Sequence, residues 1–139
     1  MVESIDIQSG HALSPEPKGI YRLAMRTMSI AISSFQRREP LVRLMRNLRN
    51  ELLASPDLSI GLEIVVILDG STDGSEEAVR ALEMPVRVGC HWQENRGLAA
   101  ARNAGLAASK GEIIWFLDDD LVPGEGVIRR HRLPPRSVE

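Results

Sequence analysis

The stretch LEIVVILD, residues 62–69, constrains the fold more than any other part of the chain. Apart from Glu63 and the closing Asp69 it is apolar, and it is rich in valine and isoleucine. A strand with one wet face alternates apolar and polar residues. An unbroken apolar run needs cover on both faces, as in a parallel sheet flanked by helices. Three further segments suit the same sheet: SIAIS (29–33), the alternating VRVGCHW (86–92), and GEIIWFLD (111–118).

The segments between them read as helices. Pro40 suits a first helical turn, and Leu41, Leu44, Met45, Leu48 and Leu52 then recur at helical spacing. Arg43, Arg46, Arg49 and Asn50 fall on the opposite face, and Pro56 marks the end. A short helix is expected over Ser75 to Glu83, with Ala78, Val79 and Leu82 inward and Ser75 or Asp73 as cap. LAAARNAGLAAS (98–109) is alanine-rich and helical despite Gly105. The order is β-α-β-α-β-α-β, with connections long enough for parallel pairing. The expected fold class is therefore α/β: a mostly parallel sheet of about four strands with helices on both faces.

Composition narrows the function classes. A net charge of −2 predicts no broad attraction to nucleic acid or anionic lipid. Arg129, Arg130, Arg132 and Arg136 form a small basic tail that is expected to be solvated. Cys90 is the sole cysteine, which excludes an intramolecular disulfide and a cysteine-based zinc site, and it reads as a small buried hydrophobe. No run approaches the ~18 apolar residues of a membrane span. The start, MVESIDIQSG, does not look like a signal peptide, so a cytoplasmic location is the default. His11, His91 and His131 lack ligand spacing, and Trp92 and Trp115 are expected to pack in the core. No GxGxxG follows a strand, which argues against a dinucleotide fingerprint.

Ligands of open parallel sheets sit beyond the carboxyl ends of the strands, near the point where strand order reverses. Three polar clusters fall there: Ser33–Arg37, Asp69–Asp73 and Asp118–Asp120. Three adjacent carboxylates repel one another, and a bound cation would relieve that repulsion. Magnesium takes one or two carboxylates and completes its shell with substrate phosphates, so aspartates at i and i+2 off a strand end can present part of such a shell. A solvated acidic turn is the competing reading. Asp69, directly after a buried strand, is the candidate ligand contact of its cluster. Ser71 and Asp73 suit a turn and a helix cap. Arg96 and Arg102 flank a helix start, where cations and backbone N–H groups favour phosphate.

Taken together, SIAISSFQRR, EIVVILDGSTDGS and NRGLAAARNAGLAASKGEIIWFLDDD resemble successive blocks of the family 2 glycosyltransferases, which have the GT-A fold. The resemblance runs from residue 29 to about 126. It implies a Rossmann-like, nucleotide-diphospho-sugar transferase half and a UDP- or GDP-linked sugar donor. It also implies Mn2+ or Mg2+. On this resemblance Ser33, Ser34, Phe35 and Arg37 lie along the nucleotide, Asp69 contacts the base, and Arg102 stands near the nucleotide pocket. Asp118 and Asp120 match the outer positions of the family's DxD motif as metal residues. Asp119 fills the variable middle of that motif and, with Asp118, is expected among the nucleotide-sugar contacts. The family often has proline and threonine where Ser33 and Ser34 stand, and an aspartate where Leu68 stands.

The resemblance further implies an inverting transfer to an unknown glycan, lipid or protein acceptor. The catalytic base is expected in a C-terminal half that this chain lacks, because the prolines of RLPPRSVE break the next helix. The expected organisation is a lead-in over 1–27, an incomplete donor-binding domain over 28–128, and a basic, proline-containing tail over 129–139. Two other readings stand beside it. One is an inactive or partner-dependent nucleotide-binding fragment. The other is a haloacid-dehalogenase-like phosphatase, suggested by FLDDDLV, for which too few residues follow Asp120.

Overall fold

The structure is a computed structural model that describes residues 26–132. The lead-in before residue 26, His11, and the tail's Pro134, Pro135 and Arg136 lie outside the described residues. The elements follow in order as β1 (Met28–Ser34), α1 (Arg38–Ala54), β2 (Leu62–Asp69), α2 (Ser75–Arg80), β3 (Arg87–Gln93), α3 (Leu98–Ala108), β4 (Ile113–Asp118) and α4 (Val127–Arg132). A 3-10 turn over Pro56–Ser59 follows α1, so Pro56 ends that helix as expected.

The strands form one sheet in the order β3-β2-β1-β4, and every pairing is parallel. β2 runs through the middle and is buried almost throughout, which explains its lack of alternation. One face carries Met28, Ile30 and Ile32 of β1 and Ile64, Val66 and Leu68 of β2. They pack on Leu41, Leu44, Met45, Leu48 and Leu52 of α1. The other face carries Val65 and Ile67, packed on Ala101 with Ala104 and Ala108 of α3. The small residues of α3 let the helix approach the sheet closely. A side chain built at Gly105 would lie in contact with Ala31 and Ile67.

Two elements are shorter than the sequence implies. α2 stops at Arg80, because the Leu82 N–H bonds to the Val79 carbonyl and tightens the last turn ahead of Pro85. β4 starts at Ile113 rather than 111. The Lys110 and Gly111 N–H groups donate to the Glu63 carboxylate and the Ser29 hydroxyl, at 2.7 and 2.8 Å, instead of joining a ladder. Gly111 also lies against β1, where a Cβ would fall 2.6 Å from the Ser29 nitrogen.

Three side chains depart from expectation. Trp92 is 48% exposed rather than in the core, because β3 is an edge strand, and its indole N–H donates to the Ser71 carbonyl at 2.9 Å. Cys90 is half-buried on the same strand, and burial raises its thiol pKa. Arg132 corrects the picture of a solvated tail: it closes α4, is buried, and donates to the Leu58 and Arg26 carbonyls. Long-range backbone acceptors, invisible in a local charge run, account for its burial. Trp115 packs against the core and stacks on His131, with ring centroids 3.8 Å apart.

Replacing Gly111 with alanine is expected to cost about 1–3 kcal/mol, since backbone rather than a flexible side chain blocks the new methyl. Urea unfolding of the full chain checks this; an unchanged midpoint would contradict the close approach.

Candidate functional site

The strand order places the reversal point between β1 and β4. β1 leads to β2 and β3 on one side, and the chain then returns to add β4 on the other. In register, Ser33 stands opposite Asp118, and Leu68 stands opposite Ser34. The carboxyl ends of β2, β1 and β4 therefore bring Asp69, Ser33, Ser34 and Asp118 to one edge of the sheet. The loops after them carry Phe35, Arg37, Asp119 and Asp120.

The three aspartates divide by direction. Successive strand residues point to opposite faces. Ile113 and Trp115 pack with Leu117 against the α1 side, so Asp118 falls on the α3 side. There its carboxylate is exposed and lies 3.6 Å from Nη2 of Arg102 on α3. Asp119 turns inward and is buried. It accepts a hydrogen bond from the Ser34 hydroxyl at 2.8 Å and lies 3.4 Å from Nε of Arg37. Asp120 is exposed again, 3.6 Å from Nη2 of Arg37. Burial raises the Asp119 pKa above the ordinary carboxylate value. The Ser34 hydroxyl and Arg37 offset part of that, and the neighbouring Asp120 and Asp118 charges add to it.

Asp69 has a different environment. Its Oδ1 accepts from Nε2 of Gln93 and from the Arg96 N–H, and its Oδ2 accepts from the Gly97 N–H, all at 2.9 Å. Burial opposes its ionisation, yet these hydrogen bonds, with the Arg96 charge, outweigh it and lower the pKa. The carboxylate thus ties the end of β2 to the loop that starts α3. Of its roughly four lone-pair positions, three are used, which leaves one on Oδ2.

Asp73 is structural, as its turn position implies. One oxygen accepts from the Ser75 N–H and hydroxyl, and the other accepts from the Arg38 N–H at 2.9 Å. It therefore caps the first turns of both α2 and α1. Only the first of these caps is legible from sequence proximity.

Gln36 lies within the Ser33–Arg37 cluster, but sequence reasoning missed what it does there. It adopts φ 52°, a left-handed conformation unusual for a non-glycine residue. Its amide pairs reciprocally with Thr72: Nε2 donates to the hydroxyl at 2.8 Å and Oε1 accepts the backbone N–H at 2.9 Å. The Gln36 N–H adds a bond to the Ser71 hydroxyl. These contacts lock the loop after β1 onto the loop after β2 and set the course of the chain at Phe35 and Arg37. A polar loop residue carries no local signal of that role.

The donor set suits a hard divalent cation. Asp118 and Asp120 present exposed carboxylate oxygens, each held by one long contact to a guanidinium rather than by a tight bidentate pair. Exposed pairs of this kind contribute about 0–1 kcal/mol. Among the described residues no three His, Cys, Asp or Glu side chains converge into a full metal shell. A cation here would draw further ligands from a bound substrate.

With this geometry in view, the likeness to known proteins is informative. The family described as Glycosyl transferase family 2 matches residues 29–131, and the chain belongs to that family. It is 37% identical over 95 residues to an uncharacterized glycosyltransferase of Nostoc sp., an alignment covering 67% of this chain and 28% of that protein. The chain thus spans less than a third of that relative's length. Its fold is that of the GT-A glycosyltransferases. A mannosyltransferase from Pyrobaculum calidifontis, solved in complex with GDP-Man and Mn2+, superposes with a TM-score of 0.60 at 23% identity, over 78% of this chain and 32% of that one. S. aureus TarS 1-349, in complex with UDP-GlcNAc, gives 0.62 at 20% identity, over 76% and 30%. Among the described residues no helix is long and apolar enough to cross a membrane.

The capping role of Asp73 has a pH signature. Burial opposes its ionisation, but the bonds from Ser75 and Arg38 prevail and lower its folded pKa. Its stabilising contribution is then complete above the unfolded value of about 3.9 and is lost as pH falls through the lower folded value. Asp73→Ala is expected to lose about 1–2 kcal/mol at pH 7. Its urea midpoint should also fall less steeply than wild type between pH 4 and 2. Parallel pH profiles for the two proteins would refute the assignment.

Proposed function

We propose that this chain carries the donor-binding part of a glycosyltransferase that uses a nucleotide-diphosphate sugar and a divalent cation, Mn2+ or Mg2+. The carrying observation is the split of the aspartate triplet at the reversal point of the sheet. Asp119 is committed inward to Ser34, while Asp118 and Asp120 offer exposed oxygens on either side. When bound, the cation would supply Lewis-acid stabilisation of the departing nucleoside diphosphate.

The chain's own residues have distinct parts in this reading. Asp118 and Asp120 hold the cation. Arg102 and Arg37 supply positive charge beside the diphosphate. The loop from Ser33 through Phe35 to Arg37, fixed by Gln36, lines the nucleotide. Phe35, half-exposed, presents an aromatic ring at that loop. Asp69 offers its remaining Oδ2 lone pair to a base N–H while it holds the 96–97 backbone in place.

Likeness to proteins solved with GDP-Man and with UDP-GlcNAc supports the donor class and leaves the choice of nucleotide and sugar open. Transfer with inversion requires a base to take the acceptor's proton. None of the described residues is assigned that role: the site carboxylates all have donor-side or structural partners. The phosphatase reading is not favoured, because the aspartate that would be its nucleophile faces Arg102 within a family 2 match.

Calorimetric titration of the full chain with UDP- and GDP-sugars, with and without Mn2+, tests the proposal. Binding of one of them is expected to require the cation. It should weaken at least about tenfold in Asp118→Ala with Asp120→Ala, since even outer-shell losses cost that much at metal sites. Cation-independent binding that ignores both substitutions would overturn it.

A further inference from the structure

The two exposed carboxylates of the site are already engaged, each by a different arginine from a different element. Arg102 reaches Asp118 from α3, and Arg37 reaches Asp120 from the loop after β1. The oxygens that a cation needs are thus the oxygens that guanidinium groups hold. Both contacts are 3.6 Å long, well beyond the ~2.7–2.9 Å of a tight charge-assisted hydrogen bond. All four side chains are about half-exposed or more, so solvent can replace either partner. Arg37 also keeps a second contact, through Nε to the buried Asp119, which would hold its base in place if its Nη2 left Asp120.

Resting on the donor reading above, we propose that Arg37 and Arg102 are exchangeable counter-ions of the site. They occupy Asp120 and Asp118 until a cation takes the carboxylates, and they then turn their charge to the diphosphate that arrives with it. A dication and two guanidinium groups compete for the same oxygens, so the cation alone binds against resistance. A diphosphate offers the displaced arginines new oxygens, and guanidinium geometry suits phosphate well. Cation and nucleotide therefore assist each other, and by linkage each raises the other's affinity by the same factor. The device disfavours capture of a cation without a donor, which would leave two displaced cationic groups beside a dication.

The experiment follows free Mn2+ by its electron paramagnetic resonance signal in titrations of the full chain, alone and with UDP or GDP. The variants are Arg37→Gln, Arg102→Gln and their combination. Arg38→Gln serves as control, since it removes one nearby charge without touching either pair. The proposal expects opposite signs. Mn2+ alone should bind more tightly, by up to about fivefold per arginine removed. Nucleotide binding in the presence of Mn2+ should weaken, and Arg38→Gln should do neither. If Mn2+ alone binds the double variant no better than wild type, while wild type binds Mn2+ with nucleotide, the exchange is overturned and the donor reading survives. An equal gain in Arg38→Gln also overturns it, because bulk charge would then suffice. If no protein binds Mn2+ with or without nucleotide, the donor reading falls and takes the exchange with it.

Discussion

The parallel register that sets Ser33 opposite Asp118 governs the rest of the molecule. β1 and β4 are separated by most of the described chain, and between them the chain builds two further strands and three helices. Only when β4 returns to the free side of β1 does strand order reverse, and only then do two strand ends diverge to leave a crevice. The pairing also sets direction. Because the pleat alternates, the residue level with Ser33 faces α3, and the next aspartate meets the Ser34 hydroxyl. A one-residue slip would exchange these faces and turn the wrong carboxylates inward.

That register depends in turn on the core. Both faces of β1 and β2 must be covered at once, one by the leucines of α1 and the other by the alanines of α3. The two helices are not equivalent. α1 brings leucines to its face, and α3 brings small side chains to the other, with Gly105 set against Ala31 and Ile67. Bulk on the α3 side would push away the helix that carries Arg102. The packing of one face therefore sets the distance between a guanidinium and the carboxylate it meets.

Most of this architecture was legible in the sequence because it rests on patterns that are local. The apolar run of β2, the leucine spacing of α1 and the alanine-rich α3 each announce their own burial. The aspartate cluster could be placed at a strand end because β4 is recognisable. What escaped depends on partners distant in sequence. Arg132 looks solvated beside Arg129 and Arg130, and is buried only because Leu58 and Arg26 turn carbonyls toward it. Trp92 looks like core and is exposed because its strand lies at the sheet edge. Gln36 gives no sign in SFQRRE that its amide closes on Thr72 across a gap of 36 residues. Asp69 was legible as a carboxylate closing a buried strand, but not as the anchor of the 96–97 backbone.

The carboxylates along this edge can be ranked by how many donors each one holds, and the ranking separates architecture from chemistry. Asp69 and Asp73 accept three hydrogen bonds apiece, largely from backbone N–H groups, and their lowered pKa values record that commitment. Removing either charge would release backbone that positions a helix start. Asp119 is intermediate: one hydroxyl and one guanidinium partner do not outweigh its burial, and its pKa rises. Asp118 and Asp120 each have a single long contact to a half-exposed side chain. A carboxylate held mainly by backbone N–H groups cannot exchange those partners without disturbing the fold, whereas loosely paired ones can exchange partners at little cost. Capacity to exchange partners at this edge therefore resides in the two carboxylates with the loosest contacts, on either side of the one that is buried.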